Sequence, residues 1–155
     1  MRSLATASTN ETRRGNRGHA IVEVALMSPW IFLLFIGIFD FGFYAYAAIA
    51  TQNAADMAAL YTSSESATAG DGATACTYAL NELNKLPNTR TVTTCTAYPV
   101  IVSATANPAG CLPTTAVCDS TVSVTYRTVQ LIPIPGLMGQ MTFTRTAVMR
   151  VHPEQ

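Results

Sequence analysis

The hydrophobic pattern of the chain begins with one long apolar segment. The sixteen residues from Val24 to Phe39 carry no charge, and acidic residues flank them, Glu23 before and Asp40 after. A helix rises about 1.5 Å per residue, so these two carboxylates would lie about 25 Å apart along it. That separation would place them near the two interfaces of a hydrocarbon core about 30 Å thick. The pattern predicts one membrane-spanning helix.

Helical spacing continues beyond Asp40. Apolar residues recur at intervals of three and four, opposite Thr51, Gln52 and Asp56; they are Tyr46, Ala50, Ala54, Met57, Ala58 and Tyr61. We therefore expect the helix to run from about His19 to about Ser64. A second, shorter helix is predicted over 73–86, because Gly-Asp-Gly at 70–72 breaks the chain before it and Pro87 stops it.

The last third of the chain alternates in polarity. Segments 90–107, 120–134 and 140–152 are rich in Val, Thr, Ile and Tyr, which is typical of strands. We expect about three antiparallel strands, with one face on the helices and the other in water. The fold class is α+β. The predicted domains are a basic leader (1–18), a membrane helix with its stalk (19–69) and a C-terminal α+β domain (70–155).

Composition and charge add an orientation to this picture. The chain has 155 residues, of which 49% are hydrophobic and only 12% charged, with zero net charge. Zero net charge argues against nucleic acid as a partner. Before the apolar segment, Arg2, Arg13, Arg14 and Arg17 stand against the single acid Glu11. Basic residues favour the cytoplasmic side, so we expect the N-terminus inside and the C-terminal domain outside.

All four cysteines lie in the part expected outside the cytoplasm, which favours disulfides. Cys111 and Cys118 bracket a loop rich in Pro and Thr between two strands, which predicts a local bridge. That assignment leaves Cys76 to pair with Cys95. Zinc binding is the alternative, and we disfavour it because the cysteine spacings contain no C-x-x-C pair.

The start of the apolar segment reads RRGNRG followed by HAIVEV. A basic leader ending in glycine, then a hydrophobic helix with glutamate at its fifth position, resembles the class III signal of type IV prepilins and pseudopilins. The resemblance implies that a prepilin peptidase cuts after Gly18 and that His19 becomes the new N-terminus. It also implies that Glu23 is the family's glutamate.

A longer stretch, residues 13–61, resembles the TadE-like proteins of tight-adherence (Flp pilus) systems. The matching features are the glutamate signal, Asp40-Phe41-Gly42, and Gln-Asn-Ala-Ala at 52–55. The resemblance implies a pseudopilin of the bacterial inner membrane that supports pilus assembly, adhesion and biofilm formation. Its implied partners are the membrane, the prepilin peptidase, pilin and pseudopilin subunits, and the pilus assembly platform.

The resemblance suggests why an acid is tolerated at Glu23. Cutting after Gly18 would create an α-amine in apolar surroundings, and Glu23 of a neighbouring subunit could neutralise it. The alternative is an interfacial glutamate near a helix start, where the macrodipole favours an acid. Asp40 fits a second assembly contact and an ordinary acid at the outer interface equally well.

Other function classes lack a matching motif. The only histidines, His19 and His152, lie at opposite ends of the chain, and no nucleophile motif such as G-x-S-x-G occurs. We expect no enzyme activity, no cofactor and no metal. Two alternatives stay open: a secreted binding module released by cutting after Ala47 or Ala50, and an uncut single-pass scaffold of a secretion complex.

Overall fold

The computed structural model describes residues 12–109, 111, 117–131 and 139–151. Its elements are, in order, α1 (Thr12–Thr62), α2 (Gly72–Leu83), β1 (Thr96–Ala97), β2 (Val100–Asn107), β3 (Asp119–Arg127) and β4 (Thr142–Arg150). The α+β class expected from the sequence is confirmed. Internal contacts divide the chain into two units, Met1–Asp40 and Phe41–Gln155, and this boundary falls inside α1.

Helix α1 is 51 residues long and continues through Pro29. Proline has no N–H to donate to the carbonyl four residues before it, which here belongs to Ala25. The hydroxyl of Ser28 donates to that carbonyl instead, at 3.2 Å. The helix ends close to the expected Ser64, but it begins seven residues before the expected His19, because the leader residues from Thr12 are also helical.

The outer part of α1 packs through small side chains. Its fully buried residues are Ala47, Thr51, Ala54, Ala55, Ala58, Ala59 and Thr62. The expected stripe has the right spacing, but Tyr46 and Tyr61 are 48% and 40% exposed rather than buried. Thr51 is buried instead because its hydroxyl donates to the carbonyl of Ala47 at 2.7 Å, which satisfies the polar group within the helix.

Helix α2 begins at a side-chain cap and ends earlier than expected. The carboxylate of Asp71 accepts from the N–H of Ala73 and from the hydroxyl of Thr74. The Thr74 hydroxyl, followed by the backbone N–H groups, holds the pKa of Asp71 below its usual value. The helix ends at Leu83 because the N–H of Leu86 and the hydroxyl of Thr89 donate to the Leu83 carbonyl.

The sheet has four antiparallel strands in the order β1-β2-β3-β4. The single strand expected over 90–107 is wrong: residues 90–95 are not strand, and a turn at Tyr98–Pro99 separates β1 from β2. Proline interrupts a strand because it has no N–H for the ladder. β3 ends at Arg127, short of the expected end at 134, and residues 132–134 and 152 lie outside the described residues.

The two faces of the sheet differ as expected. Along β3, buried Ser120, Val122, Val124 and Tyr126 alternate with more exposed residues. The apolar members of this series belong to the same core cluster as Ala54 and Ala58 of α1 and Leu83 of α2. The hydroxyls of Ser120 and Thr62 are hydrogen-bonded at 2.8 Å, so this core also contains a satisfied polar pair.

Two disulfides close loops at the edges of this core. Cys76 of α2 is bonded to Cys95, just before β1, with an S–S distance of 2.08 Å. Cys111 is paired with Cys118, at the start of β3. The Cys76–Cys95 bridge is the one expected from the sequence, and no cysteine is free.

Tyr126 of β3 connects the sheet to the segment that follows α2. Its side chain is fully buried, and its hydroxyl donates to Oδ1 of Asn88 at 2.6 Å. Burial raises the pKa of Tyr126 from 10.0 to about 12. The neutral hydroxyl therefore stabilises the fold below about pH 10, and this contribution is lost as pH rises towards 12.

We predict that Tyr126→Phe lowers the free energy of unfolding at pH 7 by about 1 kcal/mol, because one buried hydrogen bond is lost. Between pH 10 and 12 the difference between wild type and variant should shrink, since only the wild-type tyrosine ionises. Urea unfolding of the detergent-solubilised protein at several pH values measures both effects. Tyr98→Phe, which alters an exposed tyrosine, is the control. If the free energy of unfolding depended on pH in the same way for wild type and Tyr126→Phe, the prediction would be contradicted.

Candidate functional site

The candidate processing and assembly residues lie at the start of the apolar part of α1. Gly18, His19 and Glu23 are all exposed. A Cβ atom added to Gly18 would meet no described atom within 4 Å. The fold therefore leaves room for a larger residue at position 18, and packing does not explain the glycine.

The surface around Glu23 is almost entirely apolar. Apart from the half-buried Ile36, the large apolar side chains from Ile21 to Phe39 are exposed to between 50% for Leu33 and 72% for Trp30. An 18-residue window of this helix has a mean hydropathy of 2.2, and none of it is buried. Soluble monomers rarely expose so large an apolar patch. Within the described residues, α1 is the one helix long and apolar enough to cross a membrane.

Glu23 is the one acid in this surface before Asp40. Its neighbours Val22 and Val24 are 58% and 67% exposed, so the carboxylate emerges from an apolar helix surface. Among the described residues, no cation is paired with it. A carboxylate in hydrocarbon costs about 2.5–3.5 kcal/mol, so Glu23 would gain from a cation supplied by another molecule.

Asp40 differs from Glu23 because its side chain is buried. It is only 4% exposed, and its Oδ1 has no hydrogen-bond partner among the described residues. The structure does not bring Glu23 and Asp40 together, because they are separated by about 25 Å along one helix.

An open groove of about 720 Å³ forms a second candidate site. One wall is a face of α2 that includes Cys76 and Leu80 and continues to Asn84 just after the helix. The other wall is formed by Thr89, Arg90, Val92 and Thr93. Its charged lining residue is Arg90. Ligand pockets are usually concave and apolar with convergent polar groups, so this open, polar groove is a weaker candidate than the start of α1.

The described residues offer no arrangement suited to a metal ion. No group of three or more His, Cys, Asp or Glu side chains lies close enough together there to hold one. His19 stands at the start of the apolar helix, and His152 lies outside the described residues. The expected absence of enzyme activity, cofactor and metal stays a prediction.

Two features of the structure were not predicted from the sequence. The first is the hydroxyl of Ser28, which satisfies the carbonyl that Pro29 leaves without its usual donor. The second is Arg145, which shares a face of β4 with Phe143 and Ala147. A charge within a core-facing series is a signal of an edge strand, and that signal was available in the sequence.

Comparison with known proteins gives a match to the N-terminal part of the chain. No curated protein and no solved structure matches the chain. A family model described as TadE-like protein matches residues 18–60. The match begins at Gly18, includes Glu23 and Asp40, and ends within the buried part of α1. Residues 18–60 of this chain are thus similar to the TadE-like family.

Proposed function

We propose that the protein is a non-enzymatic pseudopilin-like component that assembles an Flp-type (tight-adherence) pilus. A prepilin peptidase removes the leader after Gly18, and α1 holds the mature protein in the inner membrane. The N-terminus lies in the cytoplasm and the C-terminal unit lies outside. The observation that carries the proposal is the position of Glu23, five residues after Gly18 on an exposed apolar helix that matches the TadE-like family.

The charge of Glu23 supplies the assembly mechanism. Cutting after Gly18 leaves an α-amine on His19, at the start of the same apolar surface. The carboxylate of one subunit pairs with the α-amine of its neighbour, and each relieves the desolvation of the other. Breaking a buried pair by removing one partner costs about 3–5 kcal/mol, so only correctly staggered helices dock stably.

Asp40 has a different role in this proposal. Because its carboxylate is buried, it acts within its own subunit, and Glu23 makes the direct contact between subunits. Adhesion to surfaces and biofilm formation follow from the pilus. The pilin and pseudopilin subunits and the assembly platform are the protein partners, together with the peptidase.

The secreted-module alternative conflicts with the packing of α1. Release would require cutting after Ala47 or Ala50, within the helix. Ala47 and Thr51 are fully buried in the C-terminal unit, and cutting after Ala50 would remove Tyr44 and Ala47 from that core. The uncut scaffold remains the second candidate, and processing separates it from the pseudopilin.

We predict that Gly18→Phe blocks processing and leaves the full-length chain in the membrane when the prepilin peptidase is present. The substitution tests recognition rather than folding, because no described atom lies within 4 Å of a Cβ at this position. Mass spectrometry of membrane protein gives the N-terminus. Gly15→Phe, in the same leader, is the matched control and should still be cut. Loss of the first eighteen residues by Gly18→Phe would refute the proposed signal.

We predict that Glu23→Val permits insertion and cutting but abolishes assembly. Removing the carboxylate lowers the cost of insertion, so the amount in the membrane should hold or rise. Docking should weaken more than a hundredfold, since the α-amine of the neighbour is left unpaired at a cost of about 3–5 kcal/mol. Crosslinked oligomers, pilus counts and surface adhesion measure assembly. Glu23→Asp should be partly defective because its side chain is shorter.

A relocated carboxylate tests whether position matters as well as charge. The double variant Val22→Glu with Glu23→Val keeps the charge but turns it about 100° around the helix. This variant should be cut normally and should fail to assemble. Normal assembly by Glu23→Val or by the relocated variant would show that Glu23 is an ordinary interfacial acid.

A further inference from the structure

Strand β4 forms a long edge of the sheet. All nine of its residues, Thr142–Arg150, are paired with β3 in an unbroken antiparallel register. Within the described residues, no strand lies on the other side of β4. Strands usually have about five or six residues, so this edge is longer than average.

The register shows which backbone groups are available at this edge. The N–H of Val151 donates to the carbonyl of Cys118, and the N–H of Thr128 donates to the carbonyl of Met141. Hydrogen-bonded positions alternate along an antiparallel pair, so the odd-numbered residues of β4 bond to β3. The N–H and C=O groups of the even-numbered residues therefore point to the free edge, where the Thr144 carbonyl accepts a long hydrogen bond of 3.4 Å from Nη1 of Arg145. They belong to Thr142, Thr144, Thr146, Val148 and Arg150.

Charged side chains are the only feature of β4 that opposes unwanted pairing with another strand. Natural proteins commonly blunt edge strands with proline, bulges, short length or charged side chains. The sequence TFTRTAVMR of β4 has no proline, and its register has no bulge. In the register, Arg150 stands opposite the acidic Asp119, whereas Arg145 stands opposite the apolar Val124. Arg145 is exposed near the middle of the strand, with an apolar residue on each side of it on its own face, Phe143 and Ala147.

We propose that β4 accepts an extended segment of a partner polypeptide and that this segment carries an acidic residue opposite Arg145. Strand addition of this kind obtains affinity from backbone hydrogen bonds and specificity from alternate side chains. Apolar residues two positions before and after the acid would lie opposite Phe143 and Ala147. The partner segment therefore has the pattern apolar-x-acid-x-apolar.

Charge excludes a second copy of β4 as the best occupant. β4 contains two arginines and no acid, so self-pairing leaves Arg145 without a carboxylate. The inference rests on the proposed function only in taking the partner to be another assembly component. Peptide binding to β4 is measured on purified protein, independently of processing after Gly18. Binding can therefore fail while processing succeeds, and processing can fail while binding succeeds.

The first test uses the full chain in detergent micelles and a synthetic peptide, Thr-Thr-Val-Thr-Glu-Thr-Val-Thr-Thr. A matched peptide has Lys in place of Glu. Calorimetric titration should show that wild type binds the Glu peptide about fivefold more tightly or better, as expected for a cross-strand charge pair. Arg145→Glu should reverse this preference. Absence of Glu-peptide binding, or equal affinity for both peptides, would overturn the proposal.

The second test removes one backbone donor from the edge. The N–H of residue 146 points away from β3, so Thr146→Pro should remove an edge donor while the β3 ladder stays intact. Thr146→Val keeps that N–H and is the matched control. Thr146→Pro should bind the Glu peptide at least tenfold more weakly than wild type, and Thr146→Val should bind it with the wild-type affinity. Equal binding by the two variants would contradict edge addition.

Sedimentation separates the proposed partner from self-association. Wild type should sediment with the same oligomeric state as Thr146→Pro in the absence of peptide. A wild-type dimer that Thr146→Pro converts to monomer would show that a second copy occupies the edge, and would overturn the proposal. If circular dichroism shows that Thr146→Pro does not fold, the reversal of preference in Arg145→Glu decides the question.

Discussion

One helix must satisfy two environments, and the rest of the structure depends on how α1 does so. Before Asp40 its large apolar side chains are exposed, while beyond Phe41 its alanines and threonines are buried in the C-terminal core. Small residues allow α2 and the sheet to approach the helix closely, but each buries little apolar area. At about 25 cal/mol per Å² of buried apolar surface, an alanine core gives modest stabilisation. Each disulfide adds about 3 kcal/mol by constraining the unfolded chain, so the two bridges complement this core.

The same division separates the two acids of the TadE-like segment. Glu23 lies on exposed apolar surface with no cation paired to it among the described residues, so its environment is incomplete within one chain. Asp40 is only 4% exposed. From their spacing in the sequence alone, both acids are expected to lie near a membrane interface, and nothing distinguishes one from the other. Exposure distinguishes them, because Glu23 is exposed and Asp40 is buried.

Much of the fold could be predicted because the hydrophobic period changes clearly along the chain. The uncharged run after Glu23 predicted the long helix, and the alternation in β3 predicted the sheet. The positions of the cysteines predicted the bridge between Cys76 and Cys95. The division at Pro99 was missed because Val and Thr on both sides suggest one strand. The burial of Thr51 was also missed, because a polar side chain is expected to be exposed. Its hydroxyl can be buried because it donates a hydrogen bond to the carbonyl of Ala47. The free edge at β4 depends on strand order, which alternation does not reveal, although Arg145 between Phe143 and Ala147 was an overlooked sign of an edge strand.

The central claim, that cutting after Gly18 produces a membrane-anchored subunit, is tested most directly by the N-terminal sequence of the unmodified protein purified from membranes. The account predicts that the first residue is His19, followed by Ala-Ile-Val-Glu. A chain that begins at Met1 would identify an uncut scaffold and contradict the claim. A soluble product that begins at Ala48 or Thr51 would instead identify a secreted module.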